Sequence, residues 1–240
     1  MNIALIFAGG TGQRMNTRTK PKQFLELHGK PVIIYTLEIF DNHPDIDGIV
    51  VVCLTGWIDY LDTLIKKFSI KKILAIVAGG DTGQASIYLG LQKMHELVGK
   101  DSVVLVHDGV RPLIDLETIS NNILSVKKHG NAITVSKAVE TITADCQADG
   151  KLGIIMDRSR CYMAKAPQSF IYGELFDAHK QSIKDNLNPF IDSATLMQHY
   201  GYDLFMVEGN ACNIKITTPT DFYIFRAIID AMENEQIIGV

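Results

Sequence analysis

Short apolar runs and amphipathic segments alternate along the first half of the chain. The apolar runs are nearly continuous, as in strands that are covered on both faces, and they are Ile3–Phe7, Ile49–Leu54, Lys72–Val77, Ser102–Val106 and Asn131–Val135. Between them, apolar residues recur every three to four positions, which predicts helices beginning near Pro31 and covering Trp57–Phe68, Thr82–Leu97 and Leu116–Lys128. This order predicts an α/β fold, doubly wound, with a mainly parallel sheet and helices on both faces.

The pattern changes after Lys137. Val139–Ala144 alternates apolar and polar residues, Asp149-Gly150 is a turn signal, and Leu152–Met156 is a second extended run. We therefore predict a protruding antiparallel β-hairpin arm over residues 138–157. A hairpin that shelters only one face packs that face against another surface. It is therefore either a surface flap or a dimerisation arm.

The chain then returns to α/β order. Asp192–Tyr200 is predicted as a helix, and Leu204–Val207 and Asn213–Thr217 are predicted as strands. The last helix is expected to begin at Thr218-Pro219-Thr220-Asp221, with Thr218 as its N-cap.

Length and composition narrow the class of protein. A chain of 240 residues fits a single domain over residues 1–240, and a net charge of −4 argues against a general nucleic-acid binder. The start of the chain lacks a signal-peptide pattern, and no apolar run approaches the ~18 residues of a membrane span. The four cysteines are scattered and indicate reduced thiols, so we expect a cytoplasmic protein.

A glycine-rich loop with two cations follows the first predicted strand. The stretch Ala8–Lys22 reads AGGTGQRMNTRTKPK. Glycines let consecutive N–H groups form an anion nest, and Arg14 and Lys22 add positive charge, which indicates a polyphosphate ligand. Glycines by themselves would favour a simple tight turn. The loop matches neither the Walker A pattern nor the dinucleotide fingerprint, where Met15 replaces the third glycine.

Other polar groups follow further predicted strands, at the sheet edge where ligands bind in open parallel sheets. Asp108 is the best candidate ligand for Mg²⁺, although it could instead cap the following turn. Arg111 could pair with a protein carboxylate or with a substrate phosphate. Lys215 interrupts an apolar alternation, so its amine either points toward a ligand or is a solvated edge lysine. His107 is expected to be a packed structural residue.

At these positions the chain resembles the cytidylyltransferases that join CTP to a sugar-alcohol phosphate. Two branches of that family act on 2-C-methyl-D-erythritol 4-phosphate and on D-ribitol 5-phosphate, in isoprenoid and in teichoic acid or capsule biosynthesis. The resemblance spans nearly the whole chain and rests on these motifs: AGGTGQRM (Ala8–Met15), PKQF (Pro21–Phe24), AGG with a later serine (Ala78–Gly80, Ser86), HDGVRP (His107–Pro112), Asp157-Arg158, APQSF (Ala166–Phe170) and NIKITTPTDF (Asn213–Phe222).

The resemblance implies a role for each matching residue. Arg14, Lys22 and Lys215 would be the catalytic cations, and Asp108 would hold Mg²⁺ and face the acceptor. The nucleotide would lie against Ala8, Gly9, Gly10, Thr11, Gly12, Gly80 and Ser86. Arg111, Thr141 and Arg158 would hold the polyol phosphate, some of them supplied by a second subunit. The hairpin arm would then make the protein a homodimer.

The chain departs from the methylerythritol branch mainly on the acceptor side. Ala166 removes a hydroxyl near the substrate, Ile191 and Cys212 replace other residues of that branch, and the family's arginine is missing from Asp81-Thr82-Gly83-Gln84. The loop's Ala-Gly-Gly and Trp57 are similar to the ribitol branch, so D-ribitol 5-phosphate is the favoured acceptor. The alternatives are a nucleotide-diphosphate-sugar pyrophosphorylase and a non-catalytic nucleotide-binding protein.

Overall fold

A computed structural model describes residues 1–10, 20–146, 148–187 and 189–238, the last four by their backbone. Eleven strands are assigned in this part of the chain: β1 Asn2–Ala8, β2 Glu26–Leu27, β3 Lys30–Pro31, β4 Gly48–Cys53, β5 Ile73–Ala78, β6 Val103–Asp108, β7 Asn131–Lys137, β8 Thr143–Ala144, β9 Ile154–Ile155, β10 Tyr162–Ile171 and β11 Met206–Glu208. The helices are α1 Val32–Asn42, α2 Ile58–Lys67, α3 Gly83–Met94, α4 Leu116–His129, α5 Tyr172–Lys184, α6 Ser193–His199 and α7 Pro219–Ile238.

Seven strands form the main sheet in the order β11-β7-β10-β6-β1-β4-β5. All neighbours in it are parallel except β10, which runs antiparallel to both β6 and β7. The mainly parallel sheet and the five early strands are confirmed. We did not predict β10 or α5. Pro167 and Lys165 break the apolar pattern of β10, and a proline argues against a central strand.

Helices cover both faces of the sheet, as predicted. Alternate residues of β1 face opposite sides: Ala4 and Ile6 pack with α1, α2 and α4, while Ile3 and Leu5 pack with α3, α5 and α6. Burial on both sides is why the strand sequence is continuously apolar. Gly90 lets α3 approach closely, because a Cβ there would overlap the side chains of Leu5 and Val52.

The arm is an antiparallel hairpin, but its paired strands are short. Thr143 pairs with Ile155 and Ala144 with Ile154. The side chains of Leu152, Ile154 and Ile155 are more than half exposed. Within one chain, therefore, no side-chain packing on these residues stabilises further pairing of the two strands.

The predicted strand Asn213–Thr217 is wrong. The segment is extended, but it is not part of a sheet ladder, and the amide of Ile216 bonds to the carbonyl of Val110 (2.9 Å). Side chains bond it elsewhere: Arg111 donates to the carbonyl of Asn213, and Asn213 donates to that of Ala166. Local alternation cannot distinguish such a segment from a strand.

The start of α7 is as predicted. The Asp221 carboxylate accepts from the amides of Thr217 and Thr218, and the Thr218 hydroxyl accepts from the amide of Asp221. Among the described residues, no helix has both the length and the apolar character needed to cross a membrane.

Candidate active site

The loops after β1 and β5 meet around Ser86. Its hydroxyl accepts from the amide of Gly80 (3.1 Å). A Cβ on Gly9 would lie 3.1 Å from Ser86 Oγ, and one on Gly79 would lie 3.2 Å from it. The backbone at these two positions therefore lies closer to Ser86 than a residue with a Cβ would allow without displacing the serine side chain. The structure thus brings together Ala8, Gly9, Gly80 and Ser86 of the predicted nucleotide site, and Gly10 follows directly along the chain. Thr11, Gly12 and Arg14 lie outside the described residues.

Gln23 and Lys22 lie at the far end of the glycine-rich loop. The buried amide of Gln23 donates to the carbonyl of Ala8 (2.6 Å), which ties the end of the loop to its beginning. The ammonium of Lys22 donates to the carbonyl of Ile216 (3.0 Å), next to Lys215 in the chain. Residues at the beginning and near the end of the chain therefore meet at the predicted triphosphate site. The position of Gln23 in the PKQF motif was a signal for this anchoring role, which our sequence analysis missed.

Asp108 is the buried centre of a three-residue charge cluster. Its Oδ2 accepts from Nε of Arg111 (2.7 Å), and its Oδ1 lies 2.5 Å from Nζ of Lys215. Burial by itself raises the pKa of Asp108, but the charges of Lys215 and Arg111 outweigh it and hold the pKa below its usual value. Asp108 is therefore an anion at neutral pH.

These contacts decide between the alternatives left open by the sequence. Arg111 pairs with a protein carboxylate, and Lys215 pairs with the same carboxylate instead of being a solvated edge lysine. The Asp108 carboxylate binds side-chain cations, so among its described contacts it is not a turn cap.

His107 is a packed residue, as expected. It is fully buried, its ring lies 5.0 Å from that of Phe40, and Nε2 is 3.3 Å from the carbonyl oxygen of Arg111. Burial lowers the pKa of His107 to about 4, so the ring is neutral at pH 7.

A cavity of about 270 Å³ adjoins the charge cluster. Asp108, Arg111 and Lys215 lie at its wall, and its described lining also contains polar side chains for which we predicted no role: Gln84, Lys165, Gln168, His179, Asp192 and Ser193. Gln168 belongs to the APQSF motif, and Asp192 begins a predicted helix, but the sequence analysis gave neither residue a role in the site. The cavity joins β6, β10, α3, α5 and α6, and no local pattern predicts which residues of these elements meet.

Thr141 is on the arm, Arg158 directly follows it, and both are exposed. Arg158 donates to the carbonyl of Val139 (3.1 Å), at the start of the arm. Neither residue is part of the described lining of the cavity, so a single chain does not bring them together with Asp108 and Arg111.

Comparison with known proteins identifies the family. The model of the family described as "IspD: 2-C-methyl-D-erythritol 4-phosphate cytidylyltransferase" matches residues 2–231. The chain belongs to this family. It is a nucleotidyltransferase, and its resemblance to the cytidylyltransferases is confirmed.

Full-length relatives come from both branches of this family. The chain is 51% identical over 240 residues to the ribitol-5-phosphate cytidylyltransferase of Streptococcus agalactiae serotype III and 54% identical over 239 residues to that of Vibrio parahaemolyticus, with 100% of each chain covered. A 2-C-methyl-D-erythritol 4-phosphate cytidylyltransferase of Clostridium novyi is 36% identical over 235 residues, which cover 97% of this chain and 98% of that one.

A solved structure confirms the fold of the IspD family. The 4-diphosphocytidyl-2C-methyl-D-erythritol synthase of Anaerococcus prevotii superimposes with a TM-score of 0.80 at 25% identity, with 95% of both chains covered.

Proposed function

We propose that this cytidylyltransferase transfers CMP from CTP to D-ribitol 5-phosphate and forms CDP-ribitol and pyrophosphate. The observation that carries the choice of acceptor is sequence identity: relatives named for ribitol 5-phosphate are 37–54% identical, four of them at 51–54%, whereas relatives named for methylerythritol phosphate are 34–36% identical. The departures at Ala166 and Ile191 agree with this choice, because both residues line the cavity beside Asp108 and Arg111.

In the proposed reaction, a phosphate oxygen of the acceptor attacks the α-phosphorus of CTP, and the bond to pyrophosphate breaks. The second pKa of a phosphate monoester is about 6, so this oxygen is already ionised at neutral pH and needs no general base. The neutral, buried ring of His107 fits that mechanism. The reaction then depends on the cations Lys22, Lys215 and Arg14. They bring the two anionic substrates together and stabilise negative charge on the leaving pyrophosphate.

We also propose that Asp108 holds a divalent cation, with Mg²⁺ the expected one. A carboxylate offers about four lone-pair sites on its two oxygens, and two of those on Asp108 accept from Arg111 and Lys215 in the described contacts. Its remaining capacity, with phosphate oxygens and water, suits the oxygen preference of Mg²⁺. When bound, the metal would neutralise charge on the triphosphate. Asp108 would then bind the metal ion while it also pairs with Arg111 and Lys215.

A homodimer formed through the arm is our proposal for the quaternary structure. The arm carries exposed apolar side chains that a second copy could cover: Val139, Leu152, Ile154, Ile155 and Met156. Thr141 on the arm and Arg158 directly after it do not reach the described cavity of their own chain. We propose that they complete the acceptor site of the partner subunit.

The cytoplasm is the proposed location. Cys53, Cys146, Cys161 and Cys212 are free thiols, as is typical of proteins in a reducing compartment.

A matrix of pyrophosphate-release assays tests the proposed function. The four NTPs are combined with ribitol 5-phosphate, methylerythritol 4-phosphate and several sugar 1-phosphates. We expect release with CTP and ribitol 5-phosphate above all other pairs. Preference for a sugar 1-phosphate with another NTP would identify a nucleotide-diphosphate-sugar pyrophosphorylase, and no release with any pair would indicate a non-catalytic nucleotide-binding protein.

A further inference from the structure

Lys165 lies where β10 leaves its sheet ladder. β10 pairs with β7 up to Ala164 and again from Gln168, with a register shift between them. The intervening residues are therefore free of regular pairing with β7, and a bulge of this kind re-aims side chains. Lys165 is partly buried and lines the same cavity as Arg111 and Lys215.

The described contacts of Lys165 do not neutralise its charge. Its ammonium donates to the carbonyl of Ala211 (2.8 Å), and no carboxylate lies within ion-pairing distance of it in the part of the chain that the structure describes. Burial, together with the neighbouring charge of Arg111, lowers the pKa of Lys165 from its ordinary value. A partly buried cation next to another cation is unfavourable unless an anion joins them.

The two carboxylates of the cavity wall are engaged elsewhere. Asp108 pairs with Arg111 and Lys215. Asp192 caps α6 by accepting from the amide of Thr195 (2.8 Å), and its other oxygen accepts from the side chain of Gln168 (2.9 Å). His179 adds no charge at neutral pH, because burial lowers its pKa to about 4. The described lining therefore contains three cationic and two anionic side chains. Its unbalanced positive charge is at Lys165.

The position of Lys165 indicates which substrate supplies the anion. The glycines and Ser86 of the nucleotide site follow β1 and β5, which lie on one side of β6 in the sheet order. Lys165 is on β10, on the opposite side of β6. An anion bound between Lys165 and Arg111 would thus lie on the opposite side of Asp108 from the triphosphate. The acceptor, as the second reactant, has to bind on that side.

We propose that Lys165 binds the phosphate group of the polyol acceptor, together with Arg111, and so contributes to the choice of a phosphorylated acceptor. This inference rests on the proposed transfer of CMP to a polyol phosphate. The other role open to Lys165 is structural, as a tether of the backbone at Ala211.

The test is Lys165→Met, which keeps the aliphatic length of the side chain and removes its charge. A hydrogen bond to a charged group contributes about 1.5–3 kcal/mol, so we expect the KM for ribitol 5-phosphate to rise about 10- to 100-fold. The KM for CTP should stay within about twofold, because the lost contact is not on the nucleotide side. Lys165→Arg should recover most of the loss. Lys180→Met, which changes an exposed lysine of α5, is the matched control.

A readout specific for anion binding separates the two roles. Inorganic phosphate is used as a competitive inhibitor against ribitol 5-phosphate at saturating CTP, and we expect its inhibition constant to rise in Lys165→Met along with the acceptor KM. An unchanged acceptor KM, or an equal rise of both KM values with an unchanged phosphate inhibition constant, would overturn the proposal. Failure of the underlying function is a separate result, since the wild-type protein would then release no pyrophosphate with ribitol 5-phosphate.

Discussion

The ammonium of Lys215 lies 2.5 Å from Oδ1 of Asp108, so the end of one sheet strand is joined to an extended segment near the last helix. Arg111 takes the other oxygen of the same carboxylate and also donates to the carbonyl of Asn213 (2.9 Å). Asp108 therefore holds two cations in fixed positions. Such preorganised charge is what a reaction between two anions requires.

Asp108→Asn should abolish this arrangement while keeping the shape of the side chain. Two cations would lose their shared counter-charge, and we expect turnover to fall by at least about 10²-fold. Pyrophosphate release with CTP and ribitol 5-phosphate is the measurement. Asp177→Asn removes an exposed carboxylate of α5 and serves as the control. Turnover of Asp108→Asn within a few-fold of wild type would contradict the role of Asp108.

Lys22→Ala should lower turnover by about 10²–10³-fold, because it removes one of the cations that we propose to stabilise the triphosphate. The control is Lys20→Ala, two residues away, which removes a lysine that pairs with Glu26 at the surface. Thermal unfolding should show that both variants fold. Near-normal turnover of folded Lys22→Ala would refute its assignment.

The contribution of the arm can be tested by mixing two inactive variants. Asp108→Asn disables the site of its own chain, whereas Arg158→Ala disables the partner's site if Arg158 acts across the interface. Random exchange of subunits then gives half heterodimers with one intact site each, so about a quarter of the wild-type activity should return. Mixtures that stay inactive after subunit exchange would place Arg158 in the site of its own chain, and an Arg158→Ala variant that is active by itself would place Arg158 outside any site.

Buried histidines should make stability depend on pH. The pKa values of His107 and His179 are lowered to about 4 by burial, so in the range from about 6.5 to 4 the unfolded chain binds more protons than the folded one. The free energy of unfolding should therefore fall as the pH is lowered through this range. The two ring nitrogens of His179 have no described hydrogen-bond partner, and its ring stacks on that of Tyr88.

His179→Phe isolates one of these contributions. It removes the titration without removing a described hydrogen bond, so the loss of stability between pH 7 and pH 5 should shrink by about 1–2 kcal/mol. Urea unfolding at both pH values measures it. His95→Phe is the control, since His95 also lies beside an aromatic ring, that of Phe176. An unchanged difference between pH 7 and pH 5 would show that burial does not lower the pKa of His179 in the folded state.

Local sequence patterns were enough to predict the strands and helices of the first half, the hairpin and the N-cap of α7. Each of these depends on neighbours within a few residues, such as the apolar run of β1 or the Thr218–Asp221 pair, and local periodicity and capping chemistry report them directly.

The way in which the second half of the chain completes the site depends on long-range packing. We did not predict β10 because Lys165 and Pro167 interrupt its apolar pattern. The strand nevertheless forms, because the burial of the neighbouring residues between β6 and β7 outweighs that interruption. Asn213–Thr217 looks like a strand, yet its bonds go to Val110, Arg111 and Ala166, which are distant in sequence. The pairing of Asp108 with Lys215 and the position of Lys165 in the cavity likewise depend on long-range packing, which no local window of sequence contains.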